Sequence, residues 1–322
     1  MTATTTPQGV GAIRAHALRR TFGEVVAVAE VDLDIPAGAV FGLLGPDGAG
    51  KSTLIRMLAT VLRPDSGTAE VFGHSVTAER DQVTPRIGYM SQRFSMYPDL
   101  SVMENLEFFA TVRGVGRADR RTRAKALLES MGLDEFTTRQ AQFLSGGMKQ
   151  KLMLATTLMH EPDLLLLDEP TTGVDPVSRR EFWRILAGLH REGRTVLVAT
   201  PYMDEAERCT QVAFLDRGRI QRSGSPDEIK AQVPGQLLEV SLPDPRAAMA
   251  VLADVPGVTS VHLLGDVVRV LWDADADPEA ALTGALAAAG RSGRVREVAP
   301  DMETVFAYLA EASGAADEEQ AS

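Results

Sequence analysis

The chain has 322 residues, and its hydrophobic content of 44% is enough for ordinary buried cores in about two domains. Its 33 basic and 44 acidic residues give a formal net charge of −11, which disfavours a general nucleic-acid-binding or anionic-lipid-binding surface. The single cysteine, Cys209, excludes an internal disulfide and a cysteine metal cluster. No apolar run reaches the roughly 18 residues that cross a bilayer, and residues 1–20 lack the apolar segment of a signal peptide. We therefore expect a cytoplasmic protein.

The first 35 residues predict a short lead-in and a β layer. Residues 1–11 are small and polar without periodicity, which is typical of disorder. Two strand-like runs follow between Ala12 and Ile35, and the second alternates apolar with acidic residues, as a half-exposed antiparallel strand does. Between them lies Phe22, in a turn. Its ring could stack on a nucleotide base or plug the end of the β layer.

Residues 45–53 read GPDGAGKST and match the phosphate-binding P-loop pattern GxxxxGK[ST]. An apolar, strand-like run at 39–44 precedes them and a helical pattern follows, so the context of the motif is also right. Glycines allow a tight loop whose N–H groups face a phosphate chain, the lysine supplies a positive charge, and the serine can ligate Mg²⁺. The predicted nucleotide-binding residues are Gly45, Pro46, Asp47, Gly48, Ala49, Gly50, Lys51, Ser52 and Thr53.

Two further strings carry chemistry. A short apolar strand at 163–167 leads into the DEP of LLLLDEP. Its Asp168 is a predicted Mg²⁺ ligand opposite Ser52, and Glu169 is a predicted base for the attacking water. LSGGMKQK opens a helix with Ser145, Gly146 and Gly147, which makes a second anion-binding helix end in the same chain. Two copies packed head to tail would let each of these helix ends complete the P-loop of the other copy.

The rest of the pattern defines the predicted organisation. A strand at 87–92 ends in the polar Gln92, and a helical stretch at about 100–157 interrupts a βα alternation as an inserted subdomain. Within it, Ser101 and Glu104 have capping-box spacing. The alternation resumes with a predicted helix at 176–191 and continues to close a domain at 12–233. Residues 235–312 then predict a small two-layer α/β module of βαββαβ order, followed by a disordered acidic tail at 313–322.

The order of these motifs, with GVDP at 173–176, resembles the ATP-binding subunit of ABC transporters. The resemblance implies a P-loop NTPase fold of ABC type, with an N-terminal antiparallel β layer, an inserted helical subdomain and the added C-terminal module. It implies ATP and Mg²⁺ as ligands, Phe22 as the aromatic on adenine, and Gln92 as a sensor of the γ-phosphate that also ligates the metal. Lys51, Gln92 and Glu169 would be the catalytic residues. Asp175 would contact the opposite subunit.

The resemblance also implies a function: an ATP-hydrolysing motor that dimerises around ATP and drives a separate membrane permease. Residues 91–106, YMDEAERC at 202–209 and the C-terminal module resemble exporters of drugs and polysaccharides. Such a subunit lies at the inner face of the cell membrane and binds no nucleic acid. The sequence does not identify the transported molecule.

Two positions depart from the family pattern, and they leave alternatives open. Asp47 stands where the family usually has Asn, and a carboxylate near a triphosphate is unfavourable unless it points away. Pro201 follows the strand TVLVAT where the family places a histidine on the γ-phosphate, and proline offers neither a side-chain donor nor an N–H. One alternative is therefore a weakly hydrolysing, ATP-gated switch or half of a heterodimer. Another, an ABC ATPase acting on ribosomes or DNA, fits the acidic balance poorly.

Overall fold

A computed structural model describes residues 11–308 of the chain. The predicted lead-in, apart from Gly11, and the predicted acidic tail lie outside the described residues. The chain divides into two compact units, with the boundary between Ser225 and Pro226. The helix that begins at Pro226 therefore groups with the second unit. Among the described residues, no helix is both long enough and apolar enough to cross a membrane.

The first unit contains two sheets. An antiparallel sheet has the order β2-β1-β4-β5, and a six-stranded sheet has the order β10-β9-β3-β8-β7-β6, parallel except for the β9–β10 pair. The strands are β1 (Ile13–Phe22), β2 (Val25–Ile35), β3 (Val40–Leu44), β4 (Ser66–Val71), β5 (His74–Ser75), β6 (Ile87–Met90), β7 (Leu164–Asp168), β8 (Thr195–Thr200), β9 (Gln211–Asp216) and β10 (Arg219–Gly224).

Some helices of the first unit pack on the parallel sheet, and others form an insertion between β6 and β7 in the chain. The helices of the first unit are α1 (Lys51–Leu58), α2 (Arg80–Val83), α3 (Val102–Val112), α4 (Arg117–Met131), α5 (Gly146–Leu158) and α6 (Pro176–Arg191). Helices α3 to α5 form the inserted subdomain, and the capping box of Ser101 and Glu104 is confirmed at the start of α3. The segment Met203–Arg208 is a 3-10 helix. Helix α6 places Phe182, Trp183, Leu186 and Leu189 on its buried side.

Burial explains why the central strands hold the site. Every residue of β3, β7 and β8 is buried, as expected for parallel strands covered on both faces. Strand β8 lies between β3 and β7, with Thr200 beside Leu44 and Ala199 beside Asp168. Parallel strands end at the same edge of a sheet, so the segments after β3, β7 and β8 meet there.

The second unit has the predicted βαββαβ order. After α7 (Pro226–Lys230), its elements are β11 (Gln236–Ser241), α8 (Pro245–Ala253), β12 (Val258–Leu264), β13 (Val267–Trp272), α9 (Pro278–Ala288) and β14 (Arg294–Glu297). The four strands form an antiparallel sheet of order β12-β13-β11-β14, which is a ferredoxin-like arrangement. Trp272, Leu252 and Leu286 belong to its core, and residues 302–308 are helical.

Candidate functional site: a phosphate-binding loop at the ends of parallel strands

The P-loop fits tightly between neighbouring backbones. Gly45 and Gly50 have positive φ angles of 153° and 106°, in the region that side chains other than glycine rarely adopt. A Cβ atom at Gly45 would overlap the carbonyl oxygen of Leu215, and one at Gly50 would overlap that of Ala27. Only glycine fits at either position. The loop is thereby held open at the start of α1, where the first N–H groups of the helix have no partner within the helix.

Lys51 is the first residue of α1 and is 3% exposed. Its Nζ donates hydrogen bonds to the carbonyl oxygens of Gly45, at 2.8 Å, and Pro46, at 2.9 Å. It also lies 3.7 Å from Oε1 of Glu169. The ammonium group therefore lies inside the P-loop, beside the Glu169 carboxylate. A bound phosphate chain would offer this buried charge stronger acceptors than two carbonyl groups do.

Asp168 and Ser52 form the predicted metal pair. The Ser52 hydroxyl donates to Oδ1 of Asp168 at 2.7 Å, although the two residues are 116 positions apart. Asp168 is 0% exposed, and burial raises the pKa of its carboxyl group. Its Oδ2 atom is also buried and has no hydrogen-bond partner in the described part of the chain. A carboxylate and a hydroxyl fit Mg²⁺, which takes few protein ligands and completes its shell with phosphate and water oxygens.

No cluster of three or more His, Cys, Asp or Glu side chains suitable for a metal occurs among residues 11–308. A cation at Asp168 would therefore depend on phosphate and water oxygens as well. This is the ligand set expected when the metal arrives with a nucleotide.

Glu169 combines burial with a strained backbone. It is 6% exposed and has a φ of 50°, which is uncommon for a residue other than glycine. Its N–H donates to the carbonyl oxygen of Ala199 on β8. Its Oε2 atom accepts hydrogen bonds from Nε2 of Gln92, at 2.8 Å, and from the hydroxyl of Thr172, at 3.2 Å. The structure thus brings together the three predicted catalytic residues, Lys51, Gln92 and Glu169.

Ser145 begins the second predicted anion site, and it caps helix α5. Its hydroxyl accepts a hydrogen bond from the N–H of Met148. Gly147 packs so closely on α6 that an added Cβ would lie 2.5 Å from Oγ of Ser178. None of the described contacts joins Ser145, Gly146 or Gly147 to the P-loop of the same chain. This separation agrees with a role toward a second copy, which remains a prediction.

Asp175 caps α6 in the same neighbourhood. Its Oδ1 accepts hydrogen bonds from the N–H groups of Val177 and Ser178, both at 3.0 Å. Hydrogen bonds from Ser178 hold the pKa of the Asp175 carboxyl below its ordinary value. The two capped helix ends lie side by side, since Gly147 of one meets Ser178 of the other.

The remaining sequence-predicted residues lie at the edges of the site. Phe22 ends β1, is 49% exposed, and has the Arg20 guanidinium 4.9 Å from its ring centre. Its stacking role stays a prediction, although β2 approaches the P-loop through Ala27. The side chain of Asp47 is exposed. Pro201 directly follows β8 and therefore lies at the same sheet edge as Glu169.

Comparison with known proteins agrees with this geometry. Residues 28–172 match the ABC transporter family. The daunorubicin resistance ATP-binding protein DrrA3 of Streptomyces coeruleorubidus is 37% identical over 303 residues, which cover 92% of this chain and 95% of that protein. This chain belongs to the ATP-binding proteins of ABC transporters. Proteins of this family are ATPases.

Two other similarities support the assignment. The probable multidrug ABC transporter ATP-binding protein YbhF of Escherichia coli K12 is 44% identical over 256 residues, or 79% of this chain. The chain spans only 44% of the length of that relative. The dimeric ATP-binding cassette MJ0796, in a post-hydrolysis state with ADP and Pi, has a TM-score of 0.61 and 26% identity, covering 66% of this chain and 98% of that one.

Sequence reasoning missed three polar residues of this ABC ATP-binding protein. Thr172 donates to Glu169, and Thr171 donates to the buried Glu205 at 2.6 Å. Both threonines directly follow the LLLLDEP motif. That position was the one indication in the sequence that they belong to the site. The partner of Thr171 was not visible, because Glu205 lies 34 residues further along the chain.

Proposed function

We propose that this chain binds ATP with Mg²⁺ at the P-loop and hydrolyses it as the motor subunit of a transporter. The observation that carries the proposal is the meeting of Lys51, Gln92 and Glu169 at one edge of the parallel sheet. A buried carboxylate that faces a phosphate-binding loop is placed to polarise a water molecule. Family membership agrees with this chemistry.

Each residue would have a distinct task in the reaction. The backbone N–H groups of residues 45–53 and the ammonium of Lys51 would hold the phosphate oxygens. Ser52 and Asp168 would hold Mg²⁺, which neutralises charge on the phosphates when it is bound. Gln92 would turn from Glu169 toward the metal and the γ-phosphate. Glu169, released from Gln92 and Lys51, would then accept a hydrogen bond from the attacking water.

The proposed partners follow from the position of the second anion-binding helix end. Ser145, Gly146 and Gly147 open α5 at a capped helix end that makes no described contact with the P-loop of the same chain, so we infer that this end closes over ATP bound to a second nucleotide-binding domain. The dimeric state of the cassette MJ0796 supports this arrangement. Because YbhF and DrrA3 are named for multidrug transport and drug resistance, we infer export through a separate permease. The subunit would then lie at the cytoplasmic face of the membrane.

Two substitutions test the proposal. Lys51→Ala removes the phosphate-binding charge and should abolish both ATP binding and hydrolysis. Glu169→Gln keeps the size of the side chain and one acceptor oxygen but removes the base, so ATP binding should persist while hydrolysis falls by about 100-fold or more. Mg²⁺-dependent phosphate release and equilibrium ATP binding measure the two effects. Unchanged hydrolysis in both variants would exclude the proposal.

The comparisons do not favour the weakly hydrolysing switch as an alternative, since one structural neighbour is a post-hydrolysis state. Pro201→His provides its direct test. A large gain in turnover on restoring the imidazole would revive that alternative, whereas no gain supports the motor.

A further inference from the structure

A second buried carboxylate lies beside the site without reaching the P-loop. Glu205, in the 3-10 helix after β8, is 0% exposed. Its Oε1 atom accepts a hydrogen bond of 2.6 Å from the hydroxyl of Thr171. Its Oε2 atom is buried as well and has no hydrogen-bond partner among the described residues. Burying a carboxylate that is only half satisfied is costly, so packing alone does not explain this glutamate.

Thr171 belongs to the turn that presents Glu169. It is 1% exposed and lies two residues after Glu169. Two successive turns enclose it: the N–H of Thr172 donates to the carbonyl of Glu169, and the N–H of Val174 donates to the carbonyl of Thr171, both at 3.2 Å. The hydrogen bond that the Thr171 hydroxyl donates to Glu205 therefore fixes the middle of this turn.

The backbone of Glu169 needs support on both sides. Its φ of 50° is a conformation that persists only when the surroundings impose it. On the N-terminal side, the Glu169 N–H is bound to the carbonyl of Ala199. On the C-terminal side, the first buried side-chain anchor is the bond from Thr171 to Glu205. Without that anchor, the turn could relax and move the Glu169 carboxylate.

Arg179 of α6 contributes charge but no second anchor. Its Nε lies 3.9 Å from Oε1 of Glu205 and makes no hydrogen bond. Its guanidinium stacks over the ring of Tyr202 at 4.0 Å. The positive charge offsets the burial of the carboxylate, while the short bond to Thr171 provides the geometry.

We propose that Glu205 is a positioning residue for hydrolysis, acting through Thr171 to hold Glu169 in the strained conformation that faces the P-loop. The inference rests on the proposed role of Glu169 as the base. It gives the segment after β8 a function that does not depend on a histidine at position 201.

The test compares kcat and KM for Mg²⁺-dependent ATP hydrolysis in full-length variants. Thr171→Val removes the hydroxyl at constant volume, and we expect kcat to fall about 10-fold or more with KM within about twofold. Glu205→Ala should have the same effect. Glu205→Gln keeps an acceptor for Thr171 and should retain kcat within about threefold. The double variant Thr171→Val/Glu205→Ala should be no slower than either single variant, because both remove one interaction.

A matched control separates positioning from folding. Thr195 is also 1% exposed, and its hydroxyl accepts a hydrogen bond from the N–H of Gly38, but it lies at the opposite end of β8. Thr195→Val should lower the melting temperature and leave kcat unchanged. If Thr171→Val does not fold, Thr171→Ser and Thr171→Ala replace it, since both lose the methyl group and only serine keeps the donor. A fast serine variant beside a slow alanine variant supports the proposal, and equal rates overturn it.

The outcomes also distinguish this proposal from the one on which it rests. Loss of hydrolysis in Glu169→Gln, together with an unchanged kcat in Thr171→Val, overturns the positioning role alone. Hydrolysis that survives Glu169→Gln overturns the proposed function itself. A fall in kcat for Thr195→Val equal to that for Thr171→Val means that the effect is on folding, and it too overturns the positioning role.

Discussion

Glu169 and Glu239 are glutamates of similar burial, 6% and 5% exposed, in the first and second units of the chain. Glu239 lies in the middle of β11, directly opposite Arg269 of β13 and Arg296 of β14. Arg269 Nη2 lies 3.0 Å from Oε2 of Glu239, and Arg296 Nε donates to Oε1 at 2.8 Å. Glu169 instead follows a strand, on a strained backbone, with a lysine at 3.7 Å and an amide donor.

The difference teaches how to distinguish a structural carboxylate from a functional one. Cross-strand arginines neutralise Glu239 within a regular ladder, so any change there affects the sheet. The partners of Glu169 are Lys51 and Gln92, which a phosphate chain or a metal would also attract. These side chains can therefore leave Glu169 for a bound ligand. Burial alone, which is similar in the two cases, does not separate the roles.

The largest expected effect is on stability. Glu239→Ala leaves the buried charge of Arg269 with only the 3.7 Å contact to the partly exposed Asp301, so we expect the free energy of unfolding of the second unit to fall by about 3 kcal/mol. Glu169→Ala should cost less than about 1 kcal/mol, because the Lys51 ammonium keeps its hydrogen bonds to the carbonyl oxygens of Gly45 and Pro46. Denaturant unfolding of full-length protein measures both. Equal losses in the two variants would remove the distinction.

A smaller effect is expected at Gln92, which donates a hydrogen bond to Glu169. Gln92→Ala removes the 2.8 Å donor and the predicted metal contact, so kcat should fall about 10-fold. Gln142→Ala is the matched control, since Gln142 bonds only to Asp99 and Gln140 on the exposed surface among the described side chains. Steady-state ATPase rates decide the matter. Two variants of equal rate would show that the Gln92 contact has no catalytic part.

The smallest effect concerns Asp168. Burial raises the pKa of Asp168 above the ordinary 3.8. At neutral pH the ionised carboxylate therefore lowers the stability of the folded protein relative to the unfolded chain. Asp168→Asn removes that cost and keeps an acceptor for Ser52. The melting temperature of the nucleotide-free variant at pH 7 should therefore be about 2 °C higher.

The sign of the pH dependence checks this explanation. As the pH falls through the raised pKa, the wild-type carboxyl takes up a proton and its cost disappears. The stability difference between Asp168→Asn and the wild type should therefore shrink on acidification. Calorimetry without ATP and Mg²⁺ gives the comparison. A difference that grows at low pH would contradict the assigned cause.

Particular elements show how much of the structure could be predicted from the sequence alone. The P-loop, the capping box at Ser101 and the bounds of α6 were predicted, because each depends on neighbouring residues and short-range backbone chemistry. The strand after Pro162 was predicted at 163–167, one residue too early. The structure has it at Leu164–Asp168, so that it includes Asp168. The left-handed backbone of Glu169 was not predicted, since nothing local favours it there.

The sequence by itself therefore determined the motifs, the family, and the order of elements in both units. Only the tertiary structure decided which side chains meet: Lys51 with Glu169, Gln92 with Glu169, Thr171 with Glu205, and Glu239 between two arginines. The physical reason is that periodicity and caps record local preferences, whereas strand order is set by burying both faces of a sheet. That order brings distant residues to a single edge, such as Lys51 and Glu169, which are 118 positions apart.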